Sequence, residues 1–201
     1  MRVTPENRRG YAKGRAKRTE ILDQAMALFG EAGYRGASLR TIATRCGISH
    51  PGLLHHFPTK EALLLAVLQR RDDVDDEWLA LGVTRGVDHL RRLTDLAELN
   101  AKRRGIVELF SVVAAEATSP DHPAHAYFET RYRTSVANTE RAYLQARDDG
   151  ALRPGTDPAT AAQQLIALMD GLQIQWLISD CTTDMAEVLR AHIRAQLTVE
   201  L

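Results

Sequence analysis

The sequence predicts an all-α protein, and three observations carry that expectation. No stretch alternates apolar and polar residues long enough to demand a strand. Glycine and proline are widely spaced: neither occurs between Pro58 and Gly82, nor between Pro123 and Gly150, so each interval can hold a long helix. Where apolar residues repeat they do so at three and four, as in Ile21, Leu22, Ala25, Leu28 and Phe29.

That last stripe draws one face of a first helix over about 14–32, which Gly33 and Gly36 end; the dozen residues at the N-terminus form a loose basic arm. Ser38 caps a short helix whose inward face is Leu39, Ile42 and Ala43, and Gly47 supplies the left-handed conformation of a tight turn. Ser49 caps a second short helix with Pro51 in its first turn, where a missing N–H costs little. Leu53 and Leu54 lie one turn on, and Pro58 stops the helix. Thr59 caps a fourth helix over 59–81. Ile106, Leu109, Phe110, Val113 and Ala117 form an apolar stripe with Glu116 on its edge, and Tyr127, Phe128, Tyr132 and Tyr143 gather on the next long helix. Asp157 before Pro158 starts a helix carrying Leu165, Met169, Leu172 and Trp176 at spacings of four, three and four. Asp184 with Glu187 has capping-box spacing for a last helix to about 199.

The 201 residues are 44% hydrophobic, 26% charged and 5% aromatic, a globular mixture that excludes disordered, collagen-like and disulfide-stapled classes. The longest apolar run, 62–68, is far shorter than the roughly 18–20 residues of a membrane span. Residues 1–18 carry no apolar core of a signal peptide, and Cys46 and Cys181 stand 135 positions apart. A cytoplasmic protein is expected, with no membrane partner.

A net charge of zero conceals an asymmetry: residues 1–60 carry +7 and residues 61–201 carry −7. Such polarity suggests that one end meets a polyanion. Two short helices joined by a glycine-containing turn make a helix-turn-helix unit, whose second helix enters the DNA major groove with its N-terminal residues at base edges. Ser49, His50 and Gly52 lie at the start of that helix, His55 and His56 near its end, and Arg40, Arg45 and Lys60 flank it as phosphate contacts should.

The runs Gly33-Tyr34, Ser38-Leu39-Arg40-Thr41-Ile42-Ala43, Gly47-Ile48-Ser49 and His56-Phe57-Pro58-Thr59-Lys60-Glu61-Ala62-Leu63, within 21–68, resemble the TetR family of transcriptional regulators. The resemblance implies an N-terminal three-helix DNA-binding domain (1–58) followed by a helical ligand-binding and dimerisation domain (59–201). It implies DNA contacts by Ser38, Arg40, Ser49, His50 and Lys60; Thr41, Gly52, Leu54 and His55 complete the candidate set. Two departures stand out. Leu54 occupies a position where the family commonly has tyrosine, which removes a hydroxyl, and Pro51 stands where glycine is frequent.

The same resemblance implies a small-molecule cavity, for which Phe110, Val113, Tyr127, Phe128, Met169, Gln173 and Trp176 are candidate linings; the alternative for each is core packing. It also implies a homodimer through the last two helices, with Leu165, Ile166, Leu177, Leu189, Ile193 and Leu197 as candidate contacts and packing within the chain as the alternative.

The acidic run Asp72, Asp73, Asp75, Asp76 and Glu77 reads as a solvated helix face, because consecutive helical residues point in different directions. His55-His56 and His122 with His125 lack the further ligands a zinc ion needs, so neither metal nor cofactor is expected. Cys46 has no partner cysteine nearby for a redox role. No G-x-S-x-G, H-E-x-x-H, P-loop or G-x-G-x-x-G occurs, so no enzyme is expected. The expected function is a sequence-specific regulator, a repressor released from a palindromic operator by a small molecule. The alternative is a helical ligand-binding or interaction module that has lost DNA binding, for which Leu54 is the hint.

Overall fold

The computed structural model describes the backbone of residues 5–80 and 82–201, and side chains over 14–80 and 82–201. Among the described residues the chain forms α1 (Pro5–Gly36), α2 (Leu39–Arg45), α3 (His50–His56), α4 (Lys60–Leu79), α5 (Gly86–Ala101), α6 (Arg104–Glu116), α7 (His125–Asp148), α8 (Pro158–Ile178) and α9 (Met185–Arg194). The only strand-like pairing among the described residues is an isolated bridge between Leu152 and Leu197.

Three of the expected caps form as the sequence suggests. Ser49 Oγ accepts from Gly52 N at 3.1 Å, Thr59 Oγ1 from Ala62 N at 3.0 Å, and an Asp157 carboxylate oxygen from Thr160 N at 2.9 Å. Ser38 occupies the cap position of α2, yet its hydroxyl makes no capping bond.

Several boundaries differ from expectation. Against the loose arm expected over the first dozen residues, the described segment is helical from Pro5 onward, with Pro5 suited to a first turn; residues 1–4 lie outside the described residues. α4 stops at Leu79 because Ala80 turns left-handed at φ 48°; the expected end at residue 81 lies outside the described residues. α9 ends at Arg194 rather than near 199, since the chain turns to pair with 151–153: Arg153 N donates to Gln196 O and Thr198 N to Ala151 O, each at 2.9 Å. Asp184 caps α9 through Glu187 N at 2.9 Å, but the Glu187 carboxylate turns forward to Arg190 at 2.8 Å instead of closing a capping box.

Two apolar cores result. One joins Ile21, Ala25 and Phe29 of α1, Ile42 of α2, Leu53 of α3 and Leu64 and Leu68 of α4 to Leu109, Phe110 and Val113 of α6. The other joins α5, α7, α8 and α9 around Tyr143, Leu165, Trp176 and Leu189. The first core therefore crosses the expected domain boundary. α1 and α6 approach closely enough that a Cβ on Gly30 would lie 3.3 Å from Leu109 N.

Candidate functional site

The helix-turn-helix unit is built by its turn. Gly47, at φ 61°, lets Ile48 N reach back to Ala43 O at 3.0 Å, while Leu53 and Ile42 are buried beneath α3 and α2. Ser38, Arg40, Thr41, Ser49 and His55 are left exposed, and His50, Gly52 and Leu54 partly so. Two expected phosphate contacts are differently engaged. Arg45 forms a bidentate pair with Glu31 at 3.1 and 2.8 Å. Lys60 is half-buried, donating to Arg35 O at 3.3 Å and lying 4.6 Å above the Tyr34 ring; burial holds its ammonium below the usual lysine range.

A seam joins this unit to the rest of the molecule. Gly33 breaks α1 at φ 67°, and the freed Tyr34 N–H donates to Glu116 Oε2 of α6 at 2.7 Å. His122 packs edge-on against Tyr34 at 5.0 Å between ring centroids, with its Nε2 3.7 Å from the same carboxylate.

Further along α6, Phe110 forms part of the wall of a cavity of about 420 Å³ lined by α4, α5, α7 and α8. Of the seven residues proposed from sequence, Phe110, Tyr127, Met169 and Gln173 line it, together with Ile166. Val113, Phe128 and Trp176 are buried in the two cores instead.

What the sequence reading missed is the polar wall. The acidic run on α4 is not one solvated face: Asp73 and Glu77 are exposed and Asp76 sits at the rim, but Asp72 and Asp75 turn inward beside Arg71. The signal was present, because the buried series Leu64, Leu68, Arg71, Asp75 keeps helical spacing. Compensation comes from Arg71 on α4 itself, from Arg103 just before α6 and from α7. Asp75 Oδ1 accepts from Arg103 at 2.8 Å and its Oδ2 lies 3.3 Å from Arg71; Asp72 accepts from Arg131 and from the Tyr127 hydroxyl. The Arg71 guanidinium stacks 3.9 Å above the Phe110 ring. Burial raises the Asp170 carboxyl above the usual range, partly countered by a hydrogen bond with Tyr132, and burial lowers the His89 imidazole.

The expected dimer contacts lie mostly inside the chain. Leu165, Ile166, Leu189, Ile193 and Leu197 are buried and Leu177 is partly so, because the inward stripe of an amphipathic helix packs first on its own neighbours. The outward apolar residues of these helices are Ile174, Ile178 and Val188.

An N-terminal helix-turn-helix unit seated on a helical body with an internal cavity defines a DNA-binding regulator of the one-chain sensor type. Residues 21–67 match bacterial regulatory proteins of the tetR family, and residues 88–198 match the C-terminal domain of BetI-type transcriptional repressors. The chain belongs to the TetR family of transcriptional regulators. It is 31% identical over 129 residues to the transcriptional repressor KstR2 of Rhodococcus jostii, a match covering 64% of this chain and 56% of that protein. The chain thus spans little more than half the length of that relative. It is 27% identical over 188 residues to the regulator UidR of Escherichia coli, covering 90% of this chain and 93% of the other. Its fold is similar to that of SmeT from Stenotrophomonas maltophilia in complex with triclosan, with a TM-score of 0.75 at 22% identity, covering 91% of this chain and 92% of the other. No described helix is long and apolar enough to cross a membrane.

Proposed function

We propose that this protein is a cytoplasmic, homodimeric repressor that holds a palindromic operator through α2 and α3 and releases it when a small molecule enters the cavity. The carrying observation is that one helix, α6, presents Phe110 to the cavity and Glu116 to the break in α1. A shift of α6 on ligand entry therefore acts on the DNA-binding unit, at residues 1–58, from the body at 59–201. SmeT, which shares the fold, binds triclosan, and KstR2 is a repressor; both support the reading.

In this reading Ser38, Arg40, Thr41 and Ser49 hold phosphates, while His50, Gly52, Leu54 and His55 face the groove and Lys60, engaged by Arg35 and Tyr34, braces the unit from behind. The capping geometry leaves the Ser38 hydroxyl without a helical partner, which suits the first role. Ile174, Ile178 and Val188 face the second copy, setting two reading helices about 34–36 Å apart or at a multiple of that spacing.

Fluorescence anisotropy with the DNA upstream of the protein's own gene, and with a scrambled control, tests the proposal across a salt series. With about 6–10 phosphate contacts, affinity falls roughly a thousandfold or more from 50 to 200 mM salt. Equal affinity for both DNAs at every salt concentration would refute sequence-specific binding at that site.

A further inference from the structure

The cavity wall contains more polar hydrogen-bonding capacity than the chain itself uses. Arg71 has a side chain only 3% exposed, yet its Nε and Nη1 have no hydrogen-bond partner. Gln173, 6% exposed, leaves Oε1 unpartnered on the same cavity. Unmet donors and acceptors at such depth cost stability unless a bound molecule satisfies them.

The buried charges, by contrast, already face partners. Asp72 is held by Arg131 and Tyr127, Asp75 by Arg103 and Arg71, and Asp170 by Tyr132. The two carboxylates that pair with arginines, Asp72 and Asp75, are thus shared among three guanidinium groups, while Asp170 is held by Tyr132 and Asp76, the fourth acid of the lining, is exposed to solvent at the rim. A carboxylate ligand would compete with Asp72 and Asp75 for Arg71, and an ammonium ligand would compete with the arginines for the aspartates. Either would leave a buried ion short of its partner, an expensive outcome. The unused groups on this wall are two donors on Arg71 and acceptors on Gln173 and Asp75, the latter being Asp75 Oδ2, which lies 3.3 Å from the Arg71 guanidinium without a hydrogen bond; beside them is an apolar wall that includes Leu93, Leu96 and Met169.

We infer that the effector is an uncharged molecule with an apolar body, carrying a carbonyl oxygen for Arg71 and an O–H or N–H donor for Gln173. The inference rests on the cavity being the effector site of the proposed repressor.

Binding of four matched probes to the full-length protein, without DNA, tests it by isothermal titration calorimetry. The probes are 4-(4-hydroxyphenyl)butan-2-one, 4-phenylbutan-2-one, 3-(4-hydroxyphenyl)propanoate and 4-(4-hydroxyphenyl)butan-2-amine. The hydroxyketone binds about tenfold or more tightly than the carboxylate or the ammonium, and about tenfold more tightly than the ketone lacking the hydroxyl. In Gln173→Met the two ketones bind equally. Tighter binding of either ion, a hydroxyl preference that survives in Gln173→Met, or no binding by any probe would overturn the inference. The two readings fail separately: the expected ranking without release of operator DNA would refute the repressor mechanism alone, and release by an ionic probe would refute the ligand class alone.

Discussion

Glu116, at the end of α6, accepts a hydrogen bond from the Tyr34 backbone N–H at 2.7 Å, where Gly33 has broken α1. A charged acceptor here replaces the helical bond that the break removes. Glu116→Ala should cost about 1.5 kcal/mol in urea unfolding. Gly33→Ala should destabilise by more than about 1 kcal/mol, because its φ is 67° and a Cβ would lie 2.4 Å from Glu116 Oε1. The two changes couple: Gly33→Ala costs less in the Glu116→Ala background, where the clash is gone. Strictly additive costs would show that the contact does not carry the effect.

Asp75 is held by the guanidinium groups of Arg71 on α4 and Arg103 just before α6, in a nearly water-free setting. Asp75→Ala leaves Arg71 buried without its closest carboxylate and is expected to destabilise by about 3–5 kcal/mol, read from chemical denaturation. A loss below about 1 kcal/mol would mean that water or Asp72 compensates.

Arg40 is exposed in the first turn of α2. Arg40→Ala should weaken binding to all DNA sequences and reduce the salt slope by about one. His50→Ala should instead change which operator is preferred, read from competition among half-site variants. A uniform loss across variants would argue against base contact.

Burial lowers the His89 imidazole below its usual value of 6.5. Between the two values the unfolded chain binds more protons than the folded one, so stability falls as pH drops through about 6.5 and levels off below the folded value. The melting temperature of the protein should therefore decline from pH 7.5 toward pH 5. His89→Gln should flatten part of that decline; an unchanged slope would assign it to other groups, of which His122 and His192 are shifted the same way.

Ile178 is 81% exposed at the end of α8. Ile178→Glu should shift sedimentation from dimer toward monomer and weaken operator binding with it. An unchanged dimer would place the interface elsewhere.

The helices and their caps were legible because the signals are local. Ser49, Thr59 and Asp157 bond to backbone three residues away, and Gly47 turns within one residue. The cavity was half legible. Tyr127, Met169 and Gln173 stood out by residue type, but Asp72 and Asp75 read as surface because a lone helix gives no sign of Arg103, just before α6, and Arg131 on α7, which compensate them. Leu165, Leu189 and Ile193 were visible as apolar stripes, yet a stripe does not say whether its partner is the same chain or another.

The shared core of α1–α4 with α6 has a practical meaning for anyone hoping to recombine such regulators. A headpiece cut at residue 58 would lose the leucine, phenylalanine and valine that cover Ile21 and Phe29 from the other side. It would be a lid without its box, prone to collapse or self-association. A chimera with a new sensory body therefore has to carry an α6 surface matched to the transplanted α1, and specificity for DNA is inherited together with that helix.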